Sequence, residues 1–166
     1  MPRRYFNWKL AIVLLMSVVV LCITAVALRR WQRANSAERG LELGNKAYDE
    51  QNWEEAAKEL GSYLALRQDV KILLKYADAQ MRIRPRKSNN IQQAIAAYRA
   101  VLRVEDNHPE ASEQLTEIYL MIGIPVDAEL IAKRQLEKVQ DPNLSRMLAI
   151  ALAQQRKFNE AASELK

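Results

Sequence analysis

The sequence predicts an all-α chain: an N-terminal transmembrane helix followed by an α-solenoid of about four helix hairpins, the last of them incomplete. Three observations predict this. Leu10 to Leu28 forms a nineteen-residue run without a charge. Beyond Arg33, Gly and Pro are scarce and no run of alternating β-branched residues occurs, which leaves helix as the only regular structure. Small residues then recur at fixed spacing to the end of the chain, as they do where pairs of helices repeat. The expected organisation is a short basic tail at 1–9, a membrane helix at 10–28, a basic juxtamembrane linker at 29–36 and repeats over 37–166. The repeats divide near 37–69, 70–108, 109–141 and 142–166.

The apolar run LAIVLLMSVVVLCITAVAL is relieved only by Ser17, Cys22 and Thr24. At roughly 1.5 Å per residue, a helix of that length approaches the ~30 Å of bilayer hydrocarbon. Trp8 and Trp31 flank it at the expected headgroup levels, with Arg and Lys placed to snorkel outward. Ala25-Val26-Ala27 also fits the small-x-small pattern of a cleaved export signal. The run is longer than the apolar core of such signals, however, and Arg29-Arg30 stand just past the cut, so an uncleaved anchor is expected. Arg3-Arg4-Tyr5-Phe6 is similar to a twin-arginine signal, but Pro2 and the strongly apolar segment depart from it. Cys22 follows Leu21 rather than the small residue of a lipoprotein signal and reads as a membrane-facing hydrophobe. Arg3, Arg4 and Lys9 on one side balance Arg29, Arg30, Arg33 and Arg39 on the other, so charge leaves the orientation open.

The formal net charge of +5 is uneven. Met1 to Arg33 hold six basic residues and no acid, leaving 19 basic and 20 acidic residues for the rest. The high pI, about 9.4, therefore reflects the flanks of one apolar segment rather than a nucleic-acid-binding surface. One Cys and one His, far apart in the chain, exclude an intramolecular disulfide and argue against a Cys/His metal site or nucleophile pair.

The first repeat begins at Ala37. A small residue followed twelve positions later by Ala occurs at Gly44/Ala56, Thr116/Ala128 and Ala149/Ala161, and at Ala77/Ala94 with five extra residues between. The first members are 33, 39 and 33 residues apart, the second 38, 34 and 33. Two antiparallel helices per unit explain this, because backbones approach closely only where side chains are small. Capping residues agree with the phase. Asn52 precedes the helix from Trp53, Asn90 the one from Ile91, His108 precedes Pro109, and Asp141 precedes Pro142. Gly123 ends the first helix of the third unit.

These residues resemble the tetratricopeptide repeat (TPR). In the first unit Leu43-Gly44-Asn45, Trp53-Glu54-Glu55-Ala56 and Leu60 fall where that family places its leucine-glycine pair, aromatic, alanine and second-helix core residue. Tyr76-Ala77, Ala94, Tyr98 and Leu102 carry the likeness in the second unit. Leu115, Tyr119, Gly123, Ala128 and Leu136 carry it in the third, and Leu148-Ala149, Phe158 and Ala161 in the fourth. The resemblance covers about residues 37 to 166 and is to bacterial-type membrane-anchored TPR proteins. It implies repeats on the outer side of the cytoplasmic membrane, with a cytosol-facing arrangement as the alternative. Ala162 and Leu165 would form an uncapped edge, so continuation of the polypeptide is expected.

Catalytic chemistry has little support. His108 with Asp106 reads as a general base or, far more simply, as a polar turn residue at a helix start. No phosphate loop, nucleophile elbow or zinc-protease motif is present. No catalytic, cofactor-binding or metal-binding residues are assigned.

Binding is the better reading. The TPR resemblance places the first helix of each unit along a groove for a protein or peptide. Carried over, it selects Leu41, Asn45, Tyr48 and Asp49, then Leu74, Asp78, Met81 and Arg82. Glu113, Glu117 and Leu120 follow in the third unit, and Arg146, Ile150 and Gln154 in the fourth. Tyr48, Leu74 and Leu120 have the alternative of packing inside the solenoid. Capture of a C-terminal carboxylate is disfavoured, since only Asn45 matches that pattern while Leu41 and Asp78 oppose it. Arg82, Arg84, Arg86 and Lys87 form a basic loop able to meet an anionic surface, or simply a solvated connector; no aromatic interleaves them for nucleic-acid stacking. The expected function is a membrane-tethered TPR scaffold that binds a protein partner without catalysis or cofactor. The alternative is the N-terminal assembly segment of a larger enzyme or transport complex continuing beyond residue 166.

Overall fold

The computed structural model describes residues 8–164, with side chains in the first helix described at 16–18, 20, 21, 23, 24 and 29 and then from 36 onward. Among the described residues there are eight helices. They are α1 (Trp8–Asp49), α2 (Trp53–Leu64), α3 (Val70–Arg82) and α4 (Ser88–Val104), then α5 (Pro109–Met121), α6 (Pro125–Leu136), α7 (Pro142–Gln154) and α8 (Phe158–Ser163). Each helix packs on the next in sequence, and α5 also meets α7, so that hairpins α1/α2, α3/α4, α5/α6 and α7/α8 succeed one another.

The recurrent small residues sit where the helices touch. Ala56, Ala77, Ala94, Thr116 and Ala128 are wholly buried, and Ala149 and Ala161 nearly so. At Gly44 a Cβ atom would lie 2.6 Å from Leu60 Cδ2 and 2.9 Å from the Leu60 backbone nitrogen, so α1 and α2 approach this closely only with glycine there. The largest cluster of buried side chains, including Tyr98, Val101, Leu115, Ile118 and Tyr119, joins α3 through α7. A smaller one around Ala47, Ala56 and Ile83 lies at the α1/α2 hairpin, and another around Leu144, Leu148 and Leu152 at α7.

Local chemistry fixes the helix ends. Asn52 accepts from the Glu55 amide at 3.4 Å, and Asp141 accepts from Asn143 and Leu144 ahead of Pro142. Asp69 caps α3 in the same way, accepting from Lys71 at 2.9 Å. Asn90 differs from its expected part: α4 starts at Ser88, three residues before the expected Ile91, and the Asn90 side chain accepts from the Lys87 backbone amide at 3.0 Å. The first helix of three hairpins ends in one motif. Gln51, Gly123 and Arg156 take φ of 60°, 74° and 62°. The following amide then reaches back to the helix, as Asn52 does to Ala47, Ile124 to Tyr119 and Lys157 to Leu152, all at 2.8–2.9 Å.

The expected membrane helix is corrected. Among the described residues no helix is long and apolar enough to cross a membrane. The run at 10–28 is the first part of α1, which continues without a break through 29–36 into the first hairpin. Its described apolar side chains, Met16, Val18, Val20, Leu21 and Ile23, are exposed, while the others in the run, including Cys22, lie outside the described residues. With the span goes the expected location as a single-pass protein of the bacterial cytoplasmic membrane, in either orientation, and the membrane as a single-pass anchor. The basic tail at 1–7 and the edge at Leu165 and Lys166 lie outside the described residues.

Candidate functional site

The residues selected for the groove lie on α1, α3, α5 and α7. Leu41, Asn45, Tyr48, Leu74, Asp78, Met81, Glu113 and Leu120 are half-buried, and Asp49, Arg82, Glu117, Arg146, Ile150 and Gln154 are exposed. Leu74, Met81 and Leu120 pack against the central core, and Tyr48 against the cluster beside it, each with part of its surface open.

The structure brings the α1 and α3 members together. Tyr48 Oη donates to Asp78 Oδ2 at 2.5 Å, and Arg82 Nε donates to the same carboxylate at 2.8 Å. Lys75 Nζ donates to Asn45 Oδ1 at 2.7 Å and lies 5.3 Å from the Tyr48 ring centroid. Trp53 meets Tyr48 edge-on at 5.3 Å and carries the Arg82 guanidinium over its face at 5.0 Å. Burial first, and then the bond to Asp78, pushes the Tyr48 phenol up to about 12, so it stays a neutral donor. Lys75 and Trp53 are not among the sequence-selected residues. Lys75 lies three positions before Asp78 on the same helix, a signal available in the repeat phase; Trp53 reads from the sequence only as a helix-start aromatic. No described contact joins these residues to the α5 and α7 members.

The basic loop folds inward. Arg84 donates to the carbonyls of Met81 and Ile83 at 2.8 and 2.9 Å, and Arg86 to Met81 at 2.6 Å, so both cations close the C-terminal end of α3. Lys87 lines a cleft of about 580 Å³ between α2 and α4, whose floor includes Tyr76, Gln80, Asn90 and Gln93 joined by side-chain hydrogen bonds. His108 is a cap: its Nδ1 accepts from the Ala111 amide at 3.4 Å, which places the neutral ring's proton on Nε2. Among the described residues no group of three or more His, Cys, Asp or Glu side chains is arranged to hold a metal.

A second cleft, of about 530 Å³, opens between α4 and α6 on the side of the second helices. Arg99, Arg103 and Arg134 line it, with Leu102 and Ile131 as apolar wall and buried Ser112 and Gln135 beneath. Gln135 is satisfied, donating to the Asn107 carbonyl at 3.1 Å and accepting from Ser112 at 3.3 Å. None of the sequence-selected groove residues lines either cleft.

Solved structures place this arrangement among known folds. MamA overlays with a TM-score of 0.66 at 18% identity, covering 78% of this chain and 74% of that one. MamA from residue 41 onward of Desulfovibrio magneticus RS-1 overlays with a TM-score of 0.62 at 18% identity, over 78% of this chain and 73% of that one. TTC0263, a thermophilic TPR protein of Thermus thermophilus, overlays more loosely, with a TM-score of 0.37 at 19% identity over 76% and 92% of the two chains. In the chain itself, helix hairpins succeed one another with small residues buried at the same two points of each. The fold is TPR-like. At these identities the likeness concerns the fold alone. No protein-family model matches the sequence, and no curated protein matches it. Tyr48 and Asp78 meet though 30 residues apart, one on the first helix of the first hairpin and the other on the first helix of the second.

Proposed function

We propose that this TPR-like chain is a scaffold that binds a protein or peptide partner along its first helices and acts by binding rather than by catalysis. The supporting observation is the α1/α3 cluster. Asp78 and Asn45 hold Arg82 and Lys75 in place beside the Tyr48 and Trp53 rings, so cationic and aromatic groups are ordered before any partner arrives. Preorganised groups of these kinds lose little freedom on association and are the usual strong points of an interface. Exposed Glu117 on α5 and Ile150 on α7 extend the same surface in the repeat phase.

Asp78 is a poor test residue, because reversing its charge would break its bonds to Tyr48 and Arg82. Glu117→Lys and Ile150→Asp are better, since both positions are exposed. Peptides enriched by panning a random display library on the full chain are expected to bind either variant about tenfold more weakly, with the unfolding temperature unchanged. Enriched peptides indifferent to both substitutions would overturn this placement.

A further inference from the structure

The α4/α6 cleft stands apart from the surface just described, on the side of the second helices, and its charge is unbalanced. Arg99 and Arg103 stand one turn apart on α4, and Arg134 faces them from α6. Among the described residues Asp106 is the only carboxylate lining the cleft. That carboxylate is already engaged: Arg134 pairs with Oδ1 at 2.5 Å and Lys138 with Oδ2 at 2.5 Å. Lys138 first, with Arg134 adding to it, holds Asp106 below the usual carboxylate range. Arg99 lies over the Tyr119 ring at 5.5 Å, which orients the guanidinium without neutralising it. Arg103 is exposed and forms no ion pair among the described residues.

We infer that this cleft docks an acidic peptide segment, with carboxylate side chains meeting Arg99 and Arg103 and an apolar side chain seated against Leu102 and Ile131. Guanidinium groups are planar forks that match carboxylates in pairs, so arginines spaced along a helix read spaced acids. The apolar wall between them gives a neighbouring side chain a surface to dehydrate, which a small inorganic anion would leave wet. Among the described residues no aromatic side chain lines the cleft, which removes the stacking platform a single-stranded nucleic acid uses. The Ser112 and Gln135 floor is internally bonded, so it presents no unmet demand to a smaller polar ligand.

The test uses the full chain and a fluorescein-labelled peptide of alternating glutamate and leucine, read by fluorescence anisotropy, with a glutamine-for-glutamate peptide as control. The expected result is saturable binding that weakens as salt rises, binding of the glutamine control at least about tenfold weaker, and a loss of about tenfold in Arg103→Glu. Arg103 is exposed and forms no ion pair among the described residues, so that variant is expected to keep its unfolding temperature; Arg99→Gln supplies an independent second variant with the same predicted loss. Arg146→Glu, on α7 and away from the cleft lining, is expected to bind like the parent chain. Absence of binding, equal binding of the glutamine control, or affinity unchanged in both cleft variants each overturns the proposal. Displacement of the peptide by millimolar pyrophosphate at constant ionic strength would also overturn it, by assigning the arginines to a phosphate ligand instead. Failure of this test leaves the first-helix surface untouched, because the two share no residue.

Discussion

The residues that end the first helices show how a small local requirement recurs through the chain. Gln51, Gly123 and Arg156 occupy equivalent places, yet only one is glycine, and a left-handed backbone costs a residue with a Cβ atom about 1 kcal/mol or more. Gln51→Gly is therefore expected to raise stability by about 1 kcal/mol and Gly123→Ala to lower it by a similar amount, measured by urea unfolding. Nothing lies within 4 Å of a Cβ built at Gly123, so the loss there would be conformational rather than steric. If the two substitutions shifted stability in the same direction, the shared motif would not be what governs these turns. His108 belongs to this scale too: one ring nitrogen facing the Ala111 amide accounts for the residue without any catalytic partner.

Between elements, a single carboxylate ties the third hairpin to the fourth. Glu129 on α6 accepts from Lys133 at 2.6 Å, from Lys157 ahead of α8 at 2.8 Å and from Gln155 at 2.7 Å. Lys133, then Lys157, draw its pKa from an ordinary 4.5 down to about 2, against the opposing effect of burial. A carboxylate whose pKa is depressed by folding stabilises the native state fully above its unfolded value and loses that contribution as pH falls through the folded one. The stability margin of the parent chain over Glu129→Gln is thus expected to be constant above about pH 5 and to shrink steadily from there toward pH 2. Denaturant unfolding of both proteins across that range measures it, and a margin independent of pH would remove Glu129 from the interface energetics. The basic loop teaches a related lesson about elements. Arg84 and Arg86 serve the carbonyls at the end of α3, a demand every helix terminus makes and a count of cations along a loop does not reveal.

Across the whole molecule, stability in a repeat array is a sum over units and the junctions between them. The largest buried cluster spans α3 to α7, whereas α8 buries only Ala161 and leaves Phe158 64% exposed. Native-state hydrogen exchange is therefore expected to be slowest for amides of α4 and α5, near Val101 and Leu115, and fastest for those of α8. Uniform protection would instead indicate one cooperative unit. The two proposed surfaces, one along the first helices and one in the α4/α6 cleft, share no residue, so these proposals together predict that two ligands bind at once.

The recurrence of Gly44, Ala77, Thr116 and Ala149, each followed by a buried alanine, determined the hairpin repeat, because close backbone approach excludes larger side chains wherever two helices cross. Caps such as Asn52 and Asp141 were equally legible, since they act within three residues of themselves. The composition of the apolar run at 10–28 points to a bilayer span; the structure puts the run at the head of a helix continuous with the first hairpin and corrects that reading. Tertiary structure alone decided that Lys75 reaches Asn45, that Trp53 lies under Arg82, and that Arg134 faces Arg99 and Arg103. Periodicity reports which side of its own helix a residue occupies, while the register between one helix and another depends on the packing of every side chain at the crossing.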